Sequence, residues 1–418
     1  MRCEILSTGD ELRSGSIVDT NAPYIAKRLE ESGMFISRHT CVGDSEDELI
    51  DILKEISKRA DIAIVTGGLG PTNDDITSKA ASFVSETDLV FNEEAYETVK
   101  RFFKSRNVEI SETNKKQAYL PQGSDVIPNK IGTAPGFICK VSDCSFFFLP
   151  GVPFEMKKML KEFVIPKISE MNGDDKIFNK IESVTLFNLP ESKAGEILSP
   201  IEANYKYVRV GLRAKFPELQ IKLYGTGEIE NEVINEVEKA KREVLEIASD
   251  WVVSEDGLSL AEELGKLLVN RSETVAIAES CTGGLISSTL TDISGSSDFF
   301  LFSGVTYSND AKMKVLNVSE DTLIKYGAVD VETAKEMAEG ARKAAGATYG
   351  ISTSGIAGPT GGTEDKPVGT VCIGISSESE TKGFKIIYKS NFRKINKMIF
   401  AAKALDLLRR YILKLNMN

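Results

Sequence analysis

The chain has 418 residues, of which 41% are hydrophobic and 27% are charged, and its formal net charge is −11. This length suffices for two or three domains with their own cores, and no apolar run reaches the roughly 20 residues that a membrane span needs. The acidic balance excludes a global electrostatic attraction for nucleic acid or anionic lipid. Six scattered cysteines form no Cys-x-x-Cys pair, and the N-terminus has no signal-peptide core. These features predict a protein of the reducing cytoplasm.

The first 171 residues alternate strand-like and helix-like segments. A short strand is predicted over 4–6, a helix over 21–31, and a buried strand over 61–65. Ser45 and Glu48 have the spacing of a capping box at the start of another helix. Such alternation predicts a mostly parallel sheet with helices on both of its faces.

A glycine loop and an acidic pair follow the strand at 61–65. This order is typical of a phosphate and metal site at the carboxyl edge of a parallel sheet, because glycines admit a phosphate and a carboxylate of Asp74 or Asp75 can hold a hard cation. The alternative is that an aspartate caps the next helix. One of the two can cap while the other binds metal.

Beyond a probable linker at 172–176, the pattern changes to that of a small α+β module, predicted over 172–252. The expected elements are strands over 183–187, 208–216 and 219–223, and helices over 190–201 and 228–248. We find no Gly-x-x-Gly loop between helices, which an RNA-binding module of this kind would need. We therefore expect Arg209, Arg213 and Lys215 to form a solvated face or an interface, and the chain not to bind nucleic acid.

The third part, over 256–418, contains the sharpest feature of the sequence. Ser280 follows a strand-like stretch and enters a helix-like one through Gly283 and Gly284. Glycines allow close approach of backbone to a ligand, and free N–H groups at a helix start can hold an oxyanion or a phosphate. The one histidine, His39, is far away in sequence, so a Ser-His-Asp triad built within this region is excluded and the base should be a lysine or a tyrosine.

Tyr307 and Lys312 are the candidate partners of Ser280. Lys312 needs a pKa below its reference value of about 10.4 to act as a base, and burial would lower it. The alternative is that Tyr307 packs against its neighbours and Lys312 is a solvated surface residue.

A second glycine-rich loop runs from Ser354 to Gly362. It suits a backbone cradle for phosphate, although such loops are often plain turns. Arg393 could supply charge for the same phosphate. The other elements predicted here are strands over 299–302, 304–307, 349–353, 370–375 and 384–388, and helices over 331–345 and 394–415.

Three motifs together resemble the C-terminal domain of the CinA family, of the nicotinamide mononucleotide deamidase type. They are A-E-S-C-T-G-G from Ala278, S-G-V-T-Y-S-N-x-x-K from Ser303, and S-G-I-A-G-P-x-G-G from Ser354. The resemblance covers about 256–418 and implies hydrolysis of the nicotinamide amide to nicotinate mononucleotide and ammonia, without a cofactor.

The same resemblance assigns roles to residues. Ser280 would be the nucleophile, Lys312 with Tyr307 would move its proton, and backbone N–H groups over 281–284 would stabilise the oxyanion. The implied substrate-binding residues are Thr282, Gly283, Gly284, Ser354, Gly355, Ala357, Gly358 and Arg393. Ser354 replaces the family's usual threonine, and Asn391 and Phe392 replace a Gly-Asp pair before the arginine, which makes Lys394 a competing candidate for the phosphate.

Residues 1 to about 170 resemble the N-terminal domain of the same family, which is similar to the MogA/MoaB molybdopterin-binding fold. The resemblance implies metal-dependent nucleotide chemistry, with Mg, Mn or Co at Asp74 and Asp75, and cleavage of ADP-ribose at its diphosphate. It places a nucleotide site at Asp10, Asn21, Asp44, Gly67, Gly68, Gly70, Thr72, Asp75, Asn114, Pro150 and Gly151. Residues 172–252 resemble the KH-like insert of the family.

The leading interpretation is thus an α/β enzyme of pyridine-nucleotide recycling, active on nicotinamide mononucleotide and ADP-ribose, in the cytoplasm, away from membranes and as a homodimer. One rival is a nucleotide-sensing or competence-associated binding protein without turnover. A second rival, for the front half alone, is a molybdopterin-binding protein.

Overall fold

The computed structural model describes residues 1–171, 178–388 and 390–417. The predicted linker at 172–176 lies outside the described residues. By its internal contacts the chain divides into two compact units. One comprises Met1–Lys180 with Gly225–Ile234, and the other comprises Ile181–Tyr224 with Asn235–Asn418.

Most strands of the first 171 residues form one mixed sheet in the order β2-β1-β3-β8-β7-β6. Its first three pairings, β2 with β1, β1 with β3 and β3 with β8, are parallel, and β7 and β6 continue antiparallel. The remaining strands, β4 and β5, make a separate ribbon. The strands are β1 (Arg2–Thr8), β2 (Phe35–Val42), β3 (Ile62–Thr66), β4 (Leu89–Phe91), β5 (Tyr119–Pro121), β6 (Asp125–Ile127), β7 (Gly136–Val141) and β8 (Cys144–Leu149).

Helices cover both faces of this sheet, as the sequence predicts. Alternate residues of β8 enter two different apolar clusters, because successive side chains of a strand point to opposite faces. Phe146 and Phe148 belong to one cluster, and Phe147 and Leu149 belong to the other. The helices are α1 (Asp10–Arg13), α2 (Asn21–Glu31), α3 (Glu46–Ser57), α4 (Thr77–Val84), α5 (Glu93–Ser105), α6 (Glu112–Lys115), α7 (Pro153–Met159) and α8 (Ile165–Met171), with a π-helical turn at Leu160–Val164.

The predicted capping box at the start of α3 is wrong. Ser45 is the N-cap residue, but its side chain makes no capping hydrogen bond.

A second sheet has the order β10-β11-β9-β12. It contains β9 (Phe178–Phe187), β10 (Val208–Lys215), β11 (Glu218–Gly227) and β12 (Val252–Ser254), with α9 (Glu191–Asn204) and α10 (Glu230–Ile247). The sequence predicts all of these except β12. Phe187 and Val253 from this sheet join the apolar cluster that also contains Leu264 and Phe400 of the C-terminal region.

The third sheet has the order β14-β13-β15-β16-β17. Its strands are β13 (Val275–Glu279), β14 (Phe300–Val305), β15 (Tyr349–Gly355), β16 (Thr370–Ser376) and β17 (Thr381–Ile387). The helices are α11 (Leu260–Arg271), α12 (Leu285–Thr291), α13 (Asn309–Leu316), α14 (Glu320–Tyr326), α15 (Val331–Ala345) and α16 (Arg393–Ile412). The two strands predicted over 299–302 and 304–307 are in fact the single strand β14.

This topology brings the sequence motifs together. β13 is parallel to both β14 and β15, so these three strands end at the same edge of the sheet. Ser280 directly follows β13, Tyr307 follows β14, and the glycine-rich loop begins in the last two residues of β15 and continues beyond it. This carboxyl edge is where ligands bind in open α/β sheets. None of the helices described is both long and apolar enough to cross a bilayer.

Candidate active site

Ser280 and Lys312 form a buried pair at the carboxyl edge of the third sheet. Lys312 lies on α13 and is completely buried, and its Nζ donates to Ser280 Oγ at 3.3 Å. The Nζ also donates to the carbonyl oxygens of Thr306 at 2.8 Å and Tyr307 at 3.2 Å. Burial lowers the pKa of Lys312, because a low-dielectric surrounding disfavours the ammonium form. Lys312 is therefore not the solvated surface residue that the alternative interpretation expected.

The neighbouring thiol does not compete with Ser280 as a nucleophile. Burial raises the pKa of Cys281 to about 12, so its sulfur stays protonated near neutral pH.

The Tyr307 phenol is oriented toward α16 rather than toward the reactive pair. Its side chain is exposed, with a relative accessibility of 63% for the residue, so it does not pack as the alternative interpretation required. The phenolic oxygen accepts a hydrogen bond from Arg393 Nη2 at 3.4 Å. Only the backbone carbonyl of Tyr307 contacts Lys312.

Hydrogen bonds fix the loop that follows Ser280. Ser280 N–H donates to the Thr353 carbonyl at 2.9 Å, and the Thr282 and Thr353 hydroxyls lie 2.7 Å apart in the core. The Thr282 side chain is thus part of the support of the loop rather than an exposed ligand group.

Two of the four predicted oxyanion donors are already occupied. Gly283 N–H donates to the Ser280 carbonyl, and Gly284 N–H donates to the Glu279 carboxylate. In the described part of the chain, the Thr282 N–H donates to no acceptor, and the Cys281 N–H donates to none outside its own side chain. Of the four backbone N–H groups over 281–284 that were predicted as oxyanion donors, these two therefore remain available.

Ser354 and Gly355, the first residues of the glycine-rich loop, are packed against the backbone of other segments. The Ser354 hydroxyl is buried and donates to the Ala328 carbonyl at 2.5 Å. A Cβ atom at Gly355 would lie 2.5 Å from the Thr370 carbonyl oxygen, so only glycine fits between the paired strands. These two positions shape the loop rather than offer free groups to a ligand.

The start of α16 anchors the rest of this loop. Arg393 Nη1 donates to the Gly358 carbonyl, and Asn396 Nδ2 donates to the Ala357 carbonyl, each at 2.9 Å. Arg393 thereby joins the loop to the Tyr307 phenol.

A second cation on α16, Lys397, was not predicted from the sequence. Lys397 is half-buried, and its Nζ lies 3.4 Å from the position that a Cβ atom would take at Gly283. It makes no ion pair within the described ranges. The signal was present, since Arg393 and Lys397 are four residues apart and share one helix face. The competing candidate Lys394 is exposed.

A separate cavity of about 530 Å³ lies in the N-terminal unit. Most of the predicted nucleotide-site residues line it, namely Asn21, Asp44, Gly67, Gly68, Gly70, Thr72, Asp75, Pro150 and Gly151, and so does Asp74, the other predicted metal ligand. Asp10 and Asn114 do not line it. Each contacts a residue that does, because Asp10 N–H donates to Asp44 and Asn114 Nδ2 donates to Gln117.

The carboxylates of this cavity differ in their surroundings. Desolvation, and then the negative charges of Asp10, Glu11 and Asp74, raise the pKa of Asp44. Asp75 accepts hydrogen bonds from the Thr72 backbone at 2.8 Å and from its hydroxyl at 2.6 Å. Neither Asp74 nor Asp75 caps α4, whose N-cap is residue 76 and lacks a side-chain cap.

Glu155 on α7 lines the cavity and Asn129 supports it, and neither was among the predicted site residues. Glu155 is half-buried, which raises its pKa, and it accepts a hydrogen bond from Asn129 Nδ2 at 2.6 Å. Asn129 Oδ1 in turn accepts from the N–H groups of Ile131 and Gly132, an arrangement typical of asparagine turns. That turn chemistry was the available signal.

The fold and these sites define the class of this chain: an α/β protein that carries a buried Ser-Lys pair at one sheet edge and an acidic, glycine-lined cavity at another. Residues 257–412 match the family described as the CinA C-terminal domain, and residues 4–170 match the family described as the probable molybdopterin binding domain.

Similar proteins span the whole chain. A CinA-like protein of Desulfosudis oleivorans is 46% identical over 99% of this chain and 100% of its own length. A CinA-like protein of Desulforapulum autotrophicum is 46% identical over 99% of each chain. The chain therefore belongs to the CinA-like protein family. A solved competence/damage inducible protein of Agrobacterium tumefaciens is 36% identical, with a TM-score of 0.35, over 36% of this chain and 95% of that one.

Proposed function

We propose that the C-terminal domain hydrolyses the amide of nicotinamide mononucleotide to give nicotinate mononucleotide and ammonia. The observation that carries the proposal is the 3.3 Å contact between Lys312 Nζ and Ser280 Oγ, made by a lysine that is completely buried. A serine activated by a lysine is an established type of nucleophile for acyl transfer.

The contacts of Lys312 support its role as the base. A neutral amine has two hydrogens and one lone pair. In the neutral form, the Thr306 and Tyr307 carbonyl oxygens accept the two hydrogens. The hydrogen bond to Ser280 is then reversed, and the Ser280 hydroxyl donates to the lone pair of Nζ. The pKa of Lys312 is lowered by burial, so this neutral form is easier to reach than for a lysine in water.

The reaction then takes two steps. Ser280 Oγ attacks the amide carbon and Lys312 takes its proton; the C–N bond breaks as Lys312 returns that proton to the leaving nitrogen, which departs as ammonia. Water next attacks the Ser280 ester, giving a proton to Lys312, which passes it back to Ser280 Oγ as the acid leaves. The N–H groups of Cys281 and Thr282 are the donors available to the oxyanion in both steps. No cofactor is needed.

Positive charge near the nucleophile supports an anionic substrate. Arg393 and Lys397 lie on one face of α16, beside Tyr307 and Gly283 respectively. We propose that these two cations bind the phosphate, because a phosphate gains most from charge-assisted hydrogen bonds.

The test is ammonia release from nicotinamide mononucleotide by the wild type and by Ser280→Ala. Ser288→Ala is the matched control, because it makes the same change at an exposed position of α12. We expect release by the wild type and the control and a loss of at least about a thousandfold in Ser280→Ala. Equal release by all three proteins would exclude the serine mechanism.

We also propose that the N-terminal domain cleaves ADP-ribose at its diphosphate. Its acidic, glycine-lined cavity supports this, and Asn21 contributes a buried Oδ1 without a hydrogen-bond partner among the described residues, which a ribose hydroxyl could satisfy.

A divalent cation fits this cavity only in combination with the substrate. Among the described residues no group of three or more His, Cys, Asp or Glu side chains is arranged to hold a metal. Mg²⁺ is commonly held by one or two carboxylates together with substrate phosphates. The crowded negative charge around Asp44 and Asp74 is suited to that arrangement. When bound, the cation would neutralise the diphosphate charge.

A further inference from the structure

We propose that Glu279 is a positioning residue that holds the oxyanion-binding loop in its active shape. The inference rests on the proposed amidohydrolase function and deepens it. Glu279 is the last residue of β13, directly before Ser280, and its relative accessibility is 0%. A buried carboxylate is costly unless it is fully hydrogen-bonded, so its partners indicate what it does.

All four described partners of this carboxylate lie beyond the nucleophile loop. Oε2 accepts from the backbone N–H groups of Gly284 at 2.9 Å and Ile286 at 3.2 Å. Oε1 accepts from Ser287 N–H at 2.9 Å and from Ser287 Oγ at 2.5 Å. Glu279 thus links the end of β13 to the start of α12, and residues 280–283 form the loop between these two points.

These hydrogen bonds determine which backbone N–H groups remain available to bind the oxyanion. The carboxylate takes the N–H groups at the start of α12, which the sequence alone would offer to a phosphate or an oxyanion. In the described chain, the Thr282 amide stays without an acceptor and the Cys281 amide without one outside its own side chain, and both lie in a loop that is fixed at its two ends. Donors that are fixed before the reaction stabilise a developing charge without reorganising.

The role requires a side chain whose two terminal atoms both accept hydrogen bonds, and not merely a residue of this shape. Both oxygens of Glu279 accept bonds, whereas a glutamine would present an NH₂ group to backbone N–H donors. Glu279→Gln therefore loosens the loop and leaves Ser280 and Lys312 unchanged.

The test compares Glu279→Gln with a matched control, Glu336→Gln. Glu336 is also a glutamate of the C-terminal domain that accepts from a backbone N–H (Ser319) and a hydroxyl (Thr322), but those partners lie on α14 and at its start. We expect Glu279→Gln to lower kcat for nicotinamide mononucleotide by about tenfold to hundredfold. KM should change less than threefold, because the loop acts on the transition state. Glu336→Gln should keep the wild-type kcat.

The fraction of correctly folded protein is measured by the stoichiometry of nicotinate mononucleotide binding. An unchanged kcat in Glu279→Gln, or an equal loss of kcat in Glu336→Gln, would overturn the proposal. If Glu279→Gln does not fold, Ser287→Ala removes one of the four bonds and should lower kcat by about twofold to fivefold; an unchanged kcat would again overturn it.

Amide hydrogen exchange separates this proposal from the proposed function. Exchange at residues 284–287 should be faster in Glu279→Gln than in the wild type, whether or not the protein releases ammonia. A wild type without ammonia release would contradict the deamidase, while unchanged exchange would contradict the positioning role.

Discussion

At the scale of single residues, the buried Lys312 amine beside Ser280 Oγ is the centre of the proposed chemistry. The spacing of Ser280, Tyr307 and Lys312 identified the three residues through a family resemblance. Burial of the amine and its two carbonyl acceptors depend on how β14 and α13 pack, which no local pattern encodes. The same limit applies to Tyr307, whose phenol contacts Arg393, a residue 86 positions away.

A pH profile follows from the Lys312 environment. Its pKa lies below the ordinary value of 10.5 because burial disfavours the ammonium form, and only the neutral amine accepts the serine proton. We expect kcat/KM to rise with pH and to level off at a pH below 10.5. The kcat/KM of Lys312→Arg should be at least about a hundredfold lower than that of the wild type at every pH, because a guanidinium stays protonated. A profile that falls with rising pH, or an active arginine variant, would argue against this base.

Tyr307→Phe separates two roles for the phenol. Because the phenol contacts Arg393 and not Ser280, we expect KM to rise by about threefold to tenfold while kcat stays within threefold. Steady-state kinetics with nicotinamide mononucleotide measures both. A hundredfold loss of kcat with an unchanged KM would instead place the phenol in proton transfer.

The two α16 cations provide a test of the phosphate site. Arg393→Ala and Lys397→Ala should each raise KM by about tenfold or more, because charge-assisted hydrogen bonds contribute about 1.5–3 kcal/mol. The control is Lys394→Ala, which removes an exposed charge from the same helix turn and should leave KM unchanged. A larger effect at Lys394 would reverse the assignment.

At the scale of elements, long periodic segments were predictable, whereas the short strand β12 and the unbroken course of β14 were not. Helices α2 and α15 have the predicted bounds, since their apolar spacing is strong. β12 is only three residues long and exists through its pairing with β9, so its sequence carries little signal. Ser303 and Gly304 suggest a break, yet pairing with β13 continues through them. Tertiary pairing overrode local preference there.

Gly68 tests the shape of the N-terminal loop. Its φ is +66°, and an added Cβ atom would clash with the hydroxyl of the buried Thr77, which donates to the Gly67 carbonyl. Gly123 has a φ of +79° but nothing within 4 Å of an added Cβ. Backbone strain should lower the free energy of unfolding of both alanine variants by about 1–2 kcal/mol. Overpacking should lower that of Gly68→Ala by at least about 1 kcal/mol more. If urea unfolding shows equal losses of unfolding free energy in the two variants, the contact with Thr77 adds no cost at Gly68.

At the scale of the whole molecule, the two proposed sites differ in the chemical groups that line them. Carboxylates line the N-terminal cavity, whereas lysine and arginine side chains and backbone amides surround Ser280. Each site draws on residues of its own compact unit.

A chelator should therefore separate the two activities. We expect EDTA to abolish AMP formation from ADP-ribose and to leave ammonia release within about 20% of its untreated rate, with Mg²⁺ restoring the first activity. Equal inhibition of both would contradict separate chemistries. A purified protein that retains a fluorescent pterin and releases no AMP would favour molybdopterin binding in the N-terminal domain.

The most direct test of the central claim is the intact mass of the protein, quenched with acid during turnover of nicotinamide mononucleotide. A nucleophilic Ser280 predicts a transient mass increase equal to the substrate minus ammonia, located by proteolysis on the peptide that contains Ser280, and absent in Ser280→Ala. Ammonia release at the full rate by Ser280→Ala, without any adduct in either protein, would contradict the account.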